Sequence, residues 1–568
     1  MDQRSEELNQ AQPRRQRVFV IGLDGATFTL LKPWTAQGKL PHFQKLLEGG
    51  AHGLLRSTIP PLTPPAWTSS VTGVNPAKHG IYSFFKLMPT GRRVYTLRDV
   101  KAKTLWAILS AYGRESGILH LPLTYPVEPF TGFMVSGLMT PNTARDYTYP
   151  PQLREELESA LPHYKLNVNT TSIRAGALEE FYQECRQLTQ MQCQETRYLM
   201  QTREWDLFYV VFHVTDSLQH FFWKFMDPRH RFFPGPNKYQ DSILRCYQEI
   251  DALLGEVLER LDDEAHVLIL SDHGFERLDK NIYLTNWLIK EGYISLNQDA
   301  QLALKRLLFR VGIRRERLVQ GLKKWHLGWF PKLFPERLKD QVPLSRPNFR
   351  HIEENIDWSR TRAYFLSAGG RAIYLNVKGR EPQGIIEPGV EYEAVRRALI
   401  EQLAALRDPE TGQLVFSAVC RREEIYPEDC AAGAPDIFLQ TAPGYYLTEG
   451  MGGDRIFSDG GKQDSGRSGN HQMDGIVILY GNQIRAGVEL QDASIVDIAP
   501  TILYLLGLPA QSDMDGLVLT SAIAPDHLDR YPITYDQIAV AGHDRERFEY
   551  TDEENTSIEQ RLRDMGYL

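Results

Sequence analysis

A run of apolar, β-favouring residues, Val18 to Leu23 (VFVIGL), breaks off at Asp24-Gly25. A strand that is apolar at consecutive positions must bury both faces, which places it inside a largely parallel sheet with helices on either side. A carboxylate at its end then lies at the carboxyl edge of the sheet, where open α/β sheets put their ligands. The pattern returns along the chain. LFYVVFHV at 207–214 runs into Asp216 and His220, HVLILS at 266–271 runs into Asp272 and His273, and His471 stands ahead of IVILY at 476–480. Between these runs, LPHFQKLLEGGA reads as an amphipathic helix closed by Gly49-Gly50, and DSILRCYQEIDALLGEVLERL and EYEAVRRALIEQLAAL read as two more. Strands alternating with helices predict an α/β fold, a doubly wound and mostly parallel sheet covered on both faces.

At 568 residues the chain is long enough for a large elaborated core. The texture divides it into a polar tail at 1–16, a first part of the core at 17–300, an inserted helical and mixed cap at 301–445, a second part of the core at 446–520 and a charged, proline-punctuated extension at 521–568 that ends in a short helix. The stretch 448–475, rich in Gly, Ser and Asp, reads as an irregular loop near the site. DIAPTILYLLGLP reads as a core helix with Asp497 as its N-terminal cap rather than a ligand. Within the insertion, Lys323, Lys324, Trp325, Trp329 and Phe330 combine cationic and interfacial side chains. They fit peripheral membrane contact or, more simply, a packed helical cap with a solvated basic face.

A net charge of −8 gives no chain-wide attraction to nucleic acid, so none is expected as a partner. The five cysteines, Cys185, Cys193, Cys246, Cys420 and Cys430, are odd in number and lack CxxC spacing. They fit neither a disulfide framework nor a thiolate zinc site, which points to a reducing, cytoplasmic setting. No cleaved leader is expected from the polar N-terminus, and no apolar run reaches the length of a membrane span.

The chemistry lies in the strand-end residues. Asp24, Asp216 and Asp272 with His220, His273 and His471 make a mixed oxygen and nitrogen set that suits zinc and also manganese or iron. Each fragment alone is common; their joint placement after buried strands is the signal. A second signal is STIPPLTPPAWTSSVTGVNPAKHGI at 57–81, where Thr63 precedes Pro64-Pro65. Pro64 disfavours the helical region at Thr63, which restricts the backbone that carries its hydroxyl. A neutral threonine is a poor nucleophile, and coordination to a dication is one route to its alkoxide. The same sequence also suits a proline-rich surface turn capping the helix at AWTSSVTG.

With VFVIGLDG, TPPAWTSSVTGVNPAKHGI, TDSLQH, SDHG, SGNHQMDG and DIAPTILYLLGLP in this order, the chain resembles the alkaline phosphatase superfamily, in particular its type I phosphodiesterase and nucleotide pyrophosphatase branch. The resemblance spans nearly the whole chain. It implies an alkaline-phosphatase-like fold and two divalent cations, zinc first and manganese second. Asp216, His220 and His471 would hold one cation, and Asp24, Asp272 and His273 the other. Thr63 would bind the second cation and attack phosphorus in line, giving a covalent phospho-threonine that water activated at the first cation hydrolyses. The substrate implied is a small phosphate ester, with diesters slightly preferred.

One departure stands out. Nucleotide pyrophosphatases usually carry an asparagine three residues after the nucleophile, and this chain has Ala66. Backbone N–H groups after Thr63, Trp67, Lys78 or Lys86 are the candidates to replace that donor, so nucleotide specificity is not carried over. Three functions compete: a phosphoric ester hydrolase, a metal-dependent phosphomutase or phosphotransferase sheltered by a closing cap, and a non-catalytic binding protein on the same scaffold. Keeping all six candidate ligands and the hydroxyl favours the first. No CxPxR motif offers a sulfatase nucleophile.

Overall fold

The computed structural model describes residues 16–88, 91–170, 173, 176–262, 264–297, 356–365, 371–427, 433–448, 455–461, 466–539 and 548–568. The basic aromatic stretch with Lys323, Lys324, Trp325, Trp329 and Phe330 lies outside these residues, as do Cys430 and nearly all of the N-terminal tail.

A nine-stranded sheet forms the core. From one edge its strands are Val488–Leu490, Ala51–Arg56, Asp474–Tyr480, Ala265–Leu270, Arg17–Leu23, Leu207–Phe212, Ser116–Leu119, Gly132–Val135 and Thr148–Tyr149. Neighbours pair in parallel except at Asp474–Tyr480 and at the edge strand Thr148–Tyr149. Register centres on the first strand, with Val20 opposite both Tyr209 and Leu268.

The consecutive apolar residues of that strand are divided between two cores. Val18 and Val20 point into a cluster with Trp67, Leu105, Ile498 and Leu562. Phe19, Ile21 and Leu23 point into another with Phe43, Leu188, Phe222 and Leu254. Helices Thr63–Thr72, Leu105–Ala111, Ile498–Leu505 and Asp552–Asp564 supply the first cluster, and Pro41–Gly49, Leu178–Thr202, Val214–Met226 and Ser242–Arg260 supply the second. The fold is therefore the doubly wound α/β class expected from the sequence, with burial on both faces accounting for the unbroken apolar runs.

A smaller antiparallel sheet follows, in the order Ala363–Tyr364, Ala372–Leu375, Ile437–Thr441 and Phe416–Arg421. Helix Val390–Ala404 packs on it, as EYEAVRRALIEQLAAL anticipates, around a separate apolar cluster that includes Leu288, Ile373, Leu399 and Leu439. This cluster also draws on Ile282, Leu284 and Trp287, ahead of residue 301.

Candidate active site

Each strand-end side chain reaches one place because its strand fixes it there. Asp24 follows Arg17–Leu23, and Asp272 and His273 follow Ala265–Leu270. Asp216 lies in the first turn of helix Val214–Met226, and His220 lies one turn on, so both share a helix face. His471 arrives differently. The segment expected to be irregular contains the strand Gly469–Gln472, paired antiparallel with Gly274–Arg277 so that His471 faces Phe275. Composition suggested a loop, but ladder pairing with residues about two hundred positions away in sequence overrides it. Because the following strand, Asp474–Tyr480, runs against the sheet, its start lies at the same edge as the other strands' ends.

Thr63 opens helix Thr63–Thr72, with Leu62 as its extended N-cap. The sequence expectation that Pro64 keeps Thr63 out of the helix is corrected by one position, since proline is tolerated in a first helical turn. The surface-turn alternative is also overturned, because every residue of this helix is buried.

The six candidate ligands and Thr63 are fully or almost fully inaccessible, His471 being the most exposed at 3%. Nε2 of His471 and of His220 lie 3.0 and 3.2 Å from the Asp216 carboxylate and 3.0 Å from each other. Nε2 of His273 lies 3.2 Å from Asp272, 3.5 Å from Asp24 and 3.5 Å from Thr63 Oγ1. The imidazoles of His273 and His471 stack at 3.8 Å, joining the two groups. Ligand atoms of Asp216, His273 and His471, and of Asp24, Asp272 and His273, each converge within 4.8 Å. His273 thus contributes to both groups, and the partition is less sharp than the resemblance implies.

The donor chemistry fits cations. Nδ1 of His220, His273 and His471 faces the carbonyls of Gly469, Gly274 and Pro61 at 3.0, 3.1 and 3.3 Å. A carbonyl only accepts, so Nδ1 of His273 and His471 carries the proton and their Nε2 presents its lone pair to the centre, while Nδ1 of His220 faces both the Gly469 carbonyl and the Arg467 Nε–H. Opposite these lone pairs, Oδ1 of Asp24, both carboxylate oxygens of Asp216 and Oδ2 of Asp272 are buried and, among the described residues, meet no hydrogen-bond donor. Burial, with the neighbouring carboxylates, holds Asp24 well above the usual carboxylate range, and burial does the same to Asp272. Acceptors gathered in a dry site repel one another until a positive charge joins them. Gly25, at φ +70°, permits the approach: a Cβ there would lie 2.8 Å from Phe275 and 3.3 Å from Asp216 Oδ1. Its N–H donates to Asp272 Oδ1 at 3.2 Å.

Three of the candidates for the donor missing at Ala66 are engaged elsewhere. Lys78 Nζ pairs with Asp515, and Lys86 Nζ donates to Asp99 at 2.9 Å. Pro64 and Pro65 have no N–H, and that of Ala66 bonds to Leu62 at 3.0 Å. Trp67 is wedged into the core against Gly22 and Tyr209, with its indole N–H turned toward Asp24. Three other side chains, absent from the sequence reading, reach the site. Arg371 Nη2 donates to the His471 carbonyl at 3.1 Å, and the Arg467 guanidinium lies 3.1 and 3.3 Å from the ring nitrogens of His220. Near the end of the chain, the Tyr567 hydroxyl donates to Asp24 Oδ2 at 3.4 Å and to the His213 carbonyl at 3.3 Å. Of these, only Arg467 had a local signal, four residues before His471. Asp497 is no ligand: it sits at the N-cap of Ile498–Leu505, but its carboxylate accepts from Ser494 and Leu517 rather than from that helix.

Residues 18–474 match the family profile described as type I phosphodiesterase / nucleotide pyrophosphatase. No curated protein matches the chain. Similar solved structures include human ectonucleotide pyrophosphatase / phosphodiesterase 5, at 14% identity over 88% of this chain and 97% of that one, with a TM-score of 0.46. An inactive variant of its murine counterpart, in complex with AMP, shares 14% identity over 87% and 96%, TM-score 0.45. Phosphonoacetate hydrolase from Sinorhizobium meliloti 1021, in complex with phosphonoformate, shares 16% over 87% and 95%, TM-score 0.46. Among the described residues no helix is long and apolar enough to cross a membrane.

Proposed function

The chain belongs to the type I phosphodiesterase / nucleotide pyrophosphatase family, a family of phosphoester hydrolases within the alkaline phosphatase superfamily, and from that premise we propose that it cleaves small phosphate esters through Thr63 and a covalent phospho-threonine. The observation that carries this reading is the buried Thr63 hydroxyl, 3.5 Å from His273 Nε2, at the rim of a cluster of unpartnered carboxylate oxygens and imidazole lone pairs. Asp24, Asp272, His273 and Thr63 would hold one divalent cation, and Asp216, His220 and His471 another, with zinc suited to the nitrogen-rich set and manganese the alternative. Bound there, two dications would offset the crowded carboxylates, favour an ionised Thr63 and stabilise the attacking and leaving oxygens of an in-line displacement.

The chain's own groups determine geometry. Thr63 Oγ1 stands at the start of helix Thr63–Thr72, where the helix's positive end favours negative charge on it. Pro64 and Pro65 stiffen the turn that carries it. In the first half-reaction the Oγ1–P bond forms as the bond from phosphorus to the ester oxygen breaks, and the hydroxyl proton passes through solvent to the departing oxygen. In the second, water attacks phosphorus as the Oγ1–P bond breaks, the water's oxygen stays with the released phosphate, and one of its protons returns to Oγ1. The Gly274 and Pro61 carbonyls keep the Nε2 lone pairs of His273 and His471 aimed inward throughout. Free Cys185, Cys193, Cys246 and Cys420 support a reducing, cytoplasmic setting, and a disulfide at Cys420 in protein isolated without reductant would oppose it.

Thr63→Ala tests the mechanism. With zinc-loaded full-length protein, acid quenching during turnover of an aryl phosphate should trap a phosphorylated species on the wild type and none on the variant, with hydrolysis lost. Unchanged hydrolysis by Thr63→Ala removes Thr63 as nucleophile.

A further inference from the structure

Arg371 and Arg467 are each 6% exposed, and among the described residues neither has a carboxylate within ion-pairing distance. The contrast with neighbouring arginines is sharp: Arg380 meets Asp436 at 2.6 Å, and Arg396 meets Glu423 at 2.7 Å. Arg467 stacks 3.9 Å over the Tyr446 ring, and its Nη1 is buried without a partner. Glu276, the acid whose charge reaches Arg371, is occupied by the Gly444 N–H at 3.0 Å and Gln472 Nε2 at 3.2 Å. A guanidinium excluded from water without a counterion is costly, and two side by side more so. Nothing in the sheet requires them there. Arg371 comes from the smaller sheet and Arg467 from the segment leading to His471, yet both converge on the histidines of the cluster.

Charge indicates what completes them. Three aspartates against two dications leave one positive charge in excess, and the two guanidiniums raise the excess to three. An ionised Thr63 brings it back to two, with Glu276 taken as neutral, the form its burial favours. A simple diester, with one negative charge, then leaves the site positive, whereas a dianion balances it. Guanidinium forks also match phosphate oxygens in shape, and they supply donors where Ala66 supplies none.

We propose that Arg371 and Arg467 form a guanidinium pair that takes the second negative charge of the substrate, so that the site is built for dianionic phosphate esters. That second charge is carried either on the reacting phosphorus, as in a monoester, or on an adjacent phosphate. This inference rests on the reading of the cluster as a phosphoester hydrolase centre and adds its substrate class.

The test uses zinc-loaded full-length wild type, R371Q, R467Q and the double variant. Turnover is compared on 4-nitrophenyl phosphate, on ADP and on bis(4-nitrophenyl) phosphate, which has one charge. Calorimetric binding of inorganic phosphate and zinc content are measured alongside. Wild type is expected to prefer a dianionic ester, the first or second probe telling where the second charge sits. The double variant should lose about 100-fold or more in kcat/KM on that ester, far less on the diester, bind phosphate at least about 10-fold more weakly and keep its zinc. A wild-type preference for the singly charged diester, or an equal loss on all three esters, overturns the proposal. If wild type cleaves no ester, the hydrolase reading falls instead, and phosphate binding still decides: undiminished binding by the double variant refutes the guanidinium pair, and weakened binding supports it. Should the glutamine variants fail to fold, R371K and R467K keep the charge but lose the fork. An even loss across the three esters in these variants also overturns the proposal.

Discussion

Gly22→Ala tests how the proposed nucleophile, Thr63, is held to the sheet. Gly22 lies in the central strand, two residues before Asp24, and an added Cβ would lie 2.5 Å from Trp67 Cη2, 2.9 Å from Cζ3 and 3.0 Å from Val211 Cγ2. Carbon atoms pack at about 3.5–4.0 Å, so the indole must retreat by roughly 1 Å. It has nowhere to go. Trp67 is fully buried, edge-on to Tyr209 at 6.4 Å, and sits one turn along the helix that begins with Thr63. Any retreat therefore moves that helix and Thr63 away from Asp24. Overpacking of this kind costs about 1–3 kcal/mol, and a displacement of about 1 Å at a reacting group costs about 100-fold in rate. The urea midpoint and kcat should both fall. Removing the colliding ring atoms in Gly22→Ala/Trp67→Phe should recover part of the rate lost by Gly22→Ala, a favourable coupling in a double-mutant cycle. Wild-type stability and kcat in Gly22→Ala, or simple additivity in the double variant, would refute the wedge.

Two other outcomes are expected. Burial lowers His79 from 6.5 to about 3 and His266 from 6.5 to about 4; the unfolded rings bind protons first as pH falls, so stability present above 6.5 is lost toward pH 4, at about 1.4 kcal/mol per pH unit for each ring. His266 is almost fully buried, so His266→Phe should flatten the dependence of the urea midpoint between pH 6.5 and 4, and an unchanged slope would reject this account. Tyr567→Phe keeps the ring against Phe84 but removes the donor to Asp24 Oδ2, and should weaken zinc retention about 10-fold or more in chelator competition, with the thermal transition little changed; equal retention would make Tyr567 a packing residue only.

The parts legible in the sequence share one property. Asp24, Asp216, Asp272 and His273 lie within four residues of the end of a strand whose continuous apolar run announces itself, so the placement of the strand places the residue. His220 is tied to Asp216 by helical spacing. Thr63 was conspicuous through its prolines, although the helix starts at Thr63 rather than after it. His471 was identified while its surroundings were misread, because the pairing of Gly469–Gln472 with Gly274–Arg277 is a contact between distant segments that local composition does not encode.

Arg371 and Tyr567 were invisible for a stronger version of the same reason, and Arg467 had only its nearness to His471 in sequence. A buried arginine and an exposed one look alike in a sequence, and only packing shows that Arg380 meets an aspartate while Arg371, among the described residues, meets none. Tyr567 belongs to a terminal stretch that reads only as a charged extension ending in a short helix, yet its ring packs against Phe84 and its hydroxyl reaches Asp24. The division has a physical basis. Groups that face one another across the central sheet are held in fixed register by hydrogen bonds and can be extrapolated from strand signals. Groups that arrive from the smaller sheet or the chain's last helix owe their position to side-chain packing, and packing follows from the assembled fold. It follows that, where this chain departs from its relatives, as at Ala66, the compensating charge should be sought on the elements that pack against the sheet's carboxyl edge and not in the strands themselves.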